Sequence, residues 1–81
     1  MPTNHTDVLN NTAAILDCFS IDRPDLGVRE VSRMTGLTTS TTGRLMQSMR
    51  DSGILTQNPV TRTYMLGSRL LSWAGVYSAN L

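Results

Sequence analysis

The sequence predicts a mostly α-helical domain with a small β-hairpin: a winged helix-turn-helix followed by a C-terminal linker helix. Three observations carry that prediction. Val28, Val31 and Met34 recur at helical spacing and run into Gly36 and Leu37, the pattern of a helix stopped by a left-handed cap and a buried turn residue. A second stripe follows at once, Thr42, Leu45, Met46 and Met49, all within a narrow arc at 100° per residue. After Gly53 come two short strand-like runs, Ile54 to Gln57 and Arg62 to Leu66, separated by Asn58-Pro59-Val60-Thr61.

In chain order, residues 1–6 read as a frayed end. A first helix is expected over 8–19, capped by Asp7 or Asn10, with Val8, Thr12, Ile15, Leu16 and Phe19 inward. Ser20 to Asp25 is a loop stopped by Pro24. Leu26-Gly27-Val28 suits a brief strand, and Gly27 can cap a helix over 28–35. Glu30 then stands at its third position, where a carboxylate meets free backbone N–H groups.

The next helix, 39–51, is a poor helix in isolation. Thr39, Thr41 and Thr42 are β-branched, and Gly43 costs about 1 kcal/mol against alanine. Packing of Leu45, Met46 and Met49 must hold it. Its opposite arc carries Ser40, Gly43, Arg44 and Gln47, small, polar or cationic throughout. A helix with one core face and one hydrogen-bonding face is what reading the major groove requires. Gly43 has two readings: a tolerated small residue on a solvated face, or a missing Cβ that lets backbone approach a phosphate or base edge.

Gly53 is the expected cap of this helix, and the wing spans 54–66, with Tyr64 and Leu66 inward and Thr63 and Met65 outward. A lone hairpin is unstable and must lie on the helices. Ser68 is the expected N-cap of a linker helix over 68–81, whose stripe of Leu70, Leu71, Ala74, Tyr77 and Leu81 is widened by Trp73. So broad a stripe on so small a domain predicts a partner surface as well as a packed root. The dimerisation residues expected there are Leu71, Trp73, Tyr77 and Leu81.

Charge is informative by its placement. The chain nets +1, but residues 1–28 hold Asp7, Asp17, Asp22 and Asp25 against Arg23 alone. Residues 29–62 hold Arg29, Arg33, Arg44, Arg50 and Arg62 against Glu30 and Asp51. Every cation is arginine, the side chain suited to bidentate phosphate or guanine contacts. The expected DNA-binding set is Arg29, Thr38, Thr39, Ser40, Thr41, Gly43, Arg44 and Gln47, joined by Arg62 and Thr63 on the wing.

Cys18 is the one cysteine, expected as a buried apolar residue, and His5 is the one histidine. Neither a disulfide within the chain nor a metal set is available, and no cofactor is expected. With neither a secretory leader pattern nor a membrane-length apolar run, the expected location is the cytoplasm. An enzyme finds no support, since paired carboxylates and a phosphate-cradling glycine loop are both missing.

The stretch from Gly36 to Met46, then Gly53-Ile54-Leu55, then Tyr64-Met65-Leu66-Gly67-Ser68-Arg69-Leu70-Leu71, resembles the N-terminal DNA-binding domain of IclR-type bacterial transcriptional regulators. The Tyr-x-Leu-Gly-x-Arg-Leu ending after a wing is its more specific part. The resemblance implies a winged helix that binds operator DNA as a homodimer, with Ser40, Thr41 and Arg44 at groove-contacting positions. It also implies that a small-molecule effector acts through a larger C-terminal domain absent from this chain, so that the chain reads as a fragment. Thr42 departs from the family's usual valine, and Thr39 from a frequent lysine. The competing reading is a winged helix that serves as a protein-interaction module without touching DNA. Such a module would carry bulky apolar or acidic residues on the exposed arc, where this chain has Ser40, Gly43, Arg44 and Gln47.

Overall fold

The computed structural model describes residues 7–81; the frayed end expected over 1–6, with His5, lies outside them. Four helices and three short strands follow in the order α1 (Val8–Asp17), β1 (Asp25–Leu26), α2 (Val28–Thr35), α3 (Thr39–Asp51), β2 (Leu55–Gln57), β3 (Tyr64–Leu66) and α4 (Arg69–Ala79). This is a winged helix. The strands form one antiparallel sheet in the order β1-β3-β2, so β3 is central. The brief strand before α2 thus starts one residue earlier than expected and turns the hairpin into a three-stranded sheet, which meets the stability problem of a lone hairpin.

Helix α1 starts on Asp7, whose carboxylate accepts from the Asn10 N–H at 3.0 Å. It ends at Asp17, two residues before the expected Phe19. Its buried residues are Asn11 and Ile15, continued by Cys18 and Phe19 just past its end; of the expected stripe, Ile15 and Phe19 are buried and Leu16 packs against the core. Val8 shares that face but lies in the first turn, and it remains more than half exposed. Cys18 is buried, and burial, with the nearby Asp17 charge, pushes its thiol pKa up.

The turn into α3 is built by backbone and small side chains. Gly36 takes φ 81°, and the Ser32 hydroxyl donates to the Leu37 carbonyl at 2.6 Å. Thr38 caps α3 by accepting from the Thr41 N–H at 3.1 Å. Thr42, Met46 and Met49 are buried and Leu45 packs beside them, so the inner stripe of α3 falls where its periodicity places it. Thr42 is fully buried, yet its hydroxyl is satisfied by donating to the Thr38 carbonyl at 2.7 Å. Met34 differs from expectation: residues three apart drift by 60° per step, and by Met34 the stripe of α2 has rotated toward solvent.

Gly53 ends α3 in a Schellman arrangement, with φ 84°, the Ile54 N–H on Met49 O at 2.8 Å and the Gly53 N–H on Arg50 O at 3.1 Å. The chain returns to this same point after the wing. The Gly67 N–H donates to Ile54 O at 2.8 Å, and Arg69 donates its N–H to Gly53 O at 3.2 Å and its Nε–H to Ser52 O at 2.5 Å. A Cβ at Gly67 would stand 2.3 Å from Gly53 O, so only glycine fits this approach. The Gly-Ser-Arg segment is therefore a clasp between the end of α3 and the root of α4.

Two expectations for this end of the chain need correction. Ser68 precedes α4 in helical conformation, and its side chain makes no capping bond. Leu66, read as inward, is about half exposed, because β3 ends there with nothing laid over it. Tyr64, two residues earlier, is buried.

Candidate nucleic-acid interface

The exposed arc of α3 carries Ser40, Arg44 and Gln47, with Gly43 half-buried between them. A Cβ at Gly43 would lie 3.8 Å from Val28 Cγ1, an ordinary contact, so packing does not require the glycine. Gly43 is one of the residues lining a cleft of about 480 Å³. The N-terminus of α2 (Gly27, Val28, Arg29, Glu30), the middle of α3 (Gly43, Gln47) and the wing (Gln57, Thr61, Arg62, Tyr64) all line it.

This cleft brings together four of the residues expected to bind DNA: Arg29, Gly43, Gln47 and Arg62. Thr38, Thr39, Ser40, Thr41 and Arg44 do not line it and form the leading end of α3 instead. Thr38 and Thr41 are partly committed there, to the helix cap and to a long 3.4 Å contact with Arg44 Nη2. Thr63 also lies off the cleft, with its hydroxyl 2.8 Å from that of Thr61.

The charge of the cleft is decided by Glu30. Its carboxylate accepts from the Gly27 N–H at 2.9 Å and from Arg23 Nη2 at 2.7 Å. Its pKa is held below the ordinary carboxylate range, first by the Gly27 bond, against partial burial, with the Arg23 bond and charge and the more distant Arg33 adding. The one carboxylate lining the cleft is thus already engaged. Among the described residues, ion pairs join Arg23 to Glu30 and Arg50 to Asp51, and Arg29, Arg44 and Arg62 have no such partner.

The wing tip is a closed loop. Asn58 Oδ1 accepts from the Val60 and Thr61 N–H groups at 2.8 and 3.1 Å, while the Arg62 N–H donates to Asn58 O at 2.8 Å. Arg62 sits at φ 68°, left-handed for a residue with a side chain. Sequence reasoning missed two residues here. Arg50 Nη1 donates to Gln57 Oε1 at 2.6 Å, and Gln57 Nε2 donates to Arg62 O at 3.1 Å. These pairings cross from helix to strand to loop, and no local pattern in the sequence announces them.

The expected dimerisation residues are all exposed: Leu71 by 77%, Trp73 by 49%, Tyr77 by 69% and Leu81 by 88%. Leu81 lies beyond the end of α4, and Val76, not expected, joins the exposed set. Among the described residues no helix is long and apolar enough to cross a membrane, and no group of His, Cys, Asp and Glu side chains could hold a metal ion.

Comparison with known proteins supplies the family. Residues 8–59 match the IclR helix-turn-helix domain. The chain is 33% identical over 57 residues to the HTH-type transcriptional regulator XynR of Escherichia coli (strain K12), a match covering 70% of this chain and 23% of that protein. An IclR family transcriptional regulator from Brucella abortus superposes with a TM-score of 0.87 at 28% identity, over 91% of this chain and 28% of that one. The Agobacterium tumefaciens repressor BlcR, at 24% identity, shares the fold with a TM-score of 0.82 over 98% of this chain and 32% of its own. The chain thus spans between 23% and 32% of the length of these regulators. It belongs to the IclR family, of which it carries the helix-turn-helix domain.

Proposed function

We propose that this chain is the operator-reading part of a transcriptional regulator, binding double-stranded DNA with α3 in the major groove and the wing on the phosphate backbone. One observation carries the reading: Arg29, Gln47 and Arg62 line one cleft around Gly43 whose single carboxylate is already bound. In this arrangement Ser40, Arg44 and Gln47 meet base edges, Thr38, Thr39 and Thr41 approach the backbone at the start of α3, and Arg29, Arg62 and Thr63 hold phosphates. The outer arc of α3, with Ser40, Gly43, Arg44 and Gln47, carries no bulky apolar or acidic side chain, which argues against a protein-interaction module.

A single recognition helix covers only a few base pairs, so the reading includes a two-fold dimer on a palindromic operator. The exposed Leu71, Trp73, Tyr77 and Leu81 are its contact surface. Effector recognition belongs, in this reading, to the part of the regulator that its longer relatives carry beyond the matched region.

The test is a titration of a labelled duplex from the chain's own upstream region, with footprinting and sedimentation. Protection of two symmetric half-sites by two protomers supports the proposal. One protomer per palindrome at saturation removes the dimer, and binding indifferent to sequence removes the operator-reading role. Arg62→Ala should weaken all duplexes alike and lower the salt slope by about one; an altered base preference would make the wing a groove reader instead.

A further inference from the structure

Gln57 stands between the recognition helix and the wing tip, and its amide is used on both sides. A guanidinium can only donate and a backbone carbonyl can only accept, so the two partners fix which amide atom faces which. Oε1 takes the Arg50 bond at 2.6 Å, and Nε2 gives the bond to Arg62 O at 3.1 Å. Arg50 is itself steadied by Asp51, with Nη2 and Nε each 3.1 Å from the same carboxylate oxygen. The remaining loop bonds, those of Asn58, Thr61 and Thr63, close the loop on itself. Among the described residues, this relay is the one hydrogen-bonded tie from the wing tip to α3.

The tie lands on an unfavourable spot. Arg62 holds φ 68°, a conformation in which a Cβ crowds the following carbonyl and which non-glycine residues rarely occupy. An arginine kept there needs its peptide groups held on both sides. Its N–H is held by Asn58 O at 2.8 Å and its carbonyl by Gln57. Release of the carbonyl frees the loop to relax, and the side chain then leaves the cleft it shares with Arg29 and Gln47.

We infer that Gln57, braced by Arg50, is a positioning residue that locks Arg62 in its left-handed conformation and so couples the end of the recognition helix to the phosphate contact of the wing. The inference rests on the DNA-binding reading for what Arg62 touches, but the relay itself is a property of the free chain. Any duplex that draws Arg62 toward a phosphate therefore also pulls on the last turn of α3.

Two measurements on the full chain decide it. In the free protein, amide exchange of Arg62 and its backbone coupling constant report the loop directly. Gln57→Met, which removes both bonds, and Gln57→Glu, which keeps the acceptor for Arg50 but offers no donor to Arg62 O, should each speed Arg62 exchange by roughly tenfold while helix amides stay unchanged. On a palindromic duplex, Gln57→Met should weaken binding by roughly three- to tenfold and lower the salt slope by about one. In an Arg62→Ala background it should do nothing further, and Arg50→Met should reproduce the pattern from the other end.

Wild-type exchange at Arg62 in both Gln57 variants overturns the relay. So does an equal loss of binding with and without Arg62, which would make Gln57 a direct DNA contact through the cleft it lines. Should the unaltered chain bind no duplex, the DNA-binding reading fails instead, and the exchange data still settle the relay.

Discussion

Helix α3 carries three threonines and a glycine among its first five residues yet buries Thr42, Met46 and Met49, whereas α4, with Leu70, Leu71, Trp73, Val76 and Tyr77, buries none. Intrinsic propensity would rank the two the other way. The body of the domain holds α3 from several sides: Val28 of α2 at Gly43, the cap at Thr38 and the clasp at its end. Its tertiary contacts offset what its sequence lacks. Among the described residues, helix α4 is hydrogen-bonded to the body only at its root, through Arg69. An apolar stripe therefore states that a surface wants covering, but not that its own chain does the covering.

Truncating the inner stripe of α3 should give the largest effect. Met46 is fully buried in the common core, and Met46→Ala should cost about 2–5 kcal/mol in urea unfolding, a large share of what a domain this size has. A loss below about 1 kcal/mol would mean that the core collapses around the gap and that α3 is held less tightly than its burial implies.

The clasp comes next. Gly67→Ala places a Cβ against the Gly53 carbonyl, and the main chain must move to admit it. The expected cost is about 1–3 kcal/mol, with backbone amide shifts concentrated at Ser52, Gly53 and Ile54. A substitution felt equally along α4 would show that the linker helix leans on more of the body than its root.

The same comparison separates what was legible in the sequence from what was not. The helix-turn-helix was legible because its signals are local: a left-handed glycine at 36, a turn leucine at 37 and one apolar stripe in a single phase; the cap at Thr38 emerged only from the structure. For α1 the local signal left two caps, Asp7 and Asn10, and the structure selects Asp7. Met34 was read as inward because a spacing of three was taken as one face, although the phase drifts toward solvent. Val8 and Leu66 were read as inward although each sits at the end of an element where the covering layer runs out. Periodicity gives the direction of a side chain and cannot say how far the neighbouring element extends. Asn11, buried in α1, breaks the hydrophobic pattern and so escaped it.

For the candidate site, the chemistry of α3's outer arc was readable, since it follows from residue type and helical phase. The convergence of Arg29, Gly43, Gln47 and Arg62 on one cleft needs the three-dimensional path of the chain. So does the role of Gln57, seven residues from Arg50 and five from Arg62. Gly43 and Gly67 are both small residues in sequence. Only the structure separates a position where a Cβ would touch nothing closer than 3.8 Å from one where it would collide at 2.3 Å.

If α4 is covered by a partner rather than by its own domain, substitutions on it should leave the monomer alone. The double variant Trp73→Ser, Tyr77→Ser should change unfolding of the dilute chain by no more than about 0.5 kcal/mol. Sedimentation on a palindromic duplex should at the same time lose the two-protomer complex. A stability loss comparable to that of Met46→Ala would place the stripe in the core and end the contrast.

The smallest effect tests whether the support of α3 begins in α2. Glu30 caps α2 through the Gly27 N–H, and α2 places Val28 against Gly43. Because this bond, aided by Arg23, holds the Glu30 carboxyl below its ordinary range against partial burial, the unfolded chain takes up a proton at a higher pH than the folded one. The stabilisation is complete above the ordinary carboxylate range and disappears as the pH falls through the folded-state value. Stability should thus decline on acidification below about pH 5, and Glu30→Gln should flatten that decline. The loss should register at the amides of α2 and the adjoining face of α3 before it reaches α4. An acid response unchanged by Glu30→Gln would remove Glu30 as its source and leave α3 supported without the cap of its neighbour.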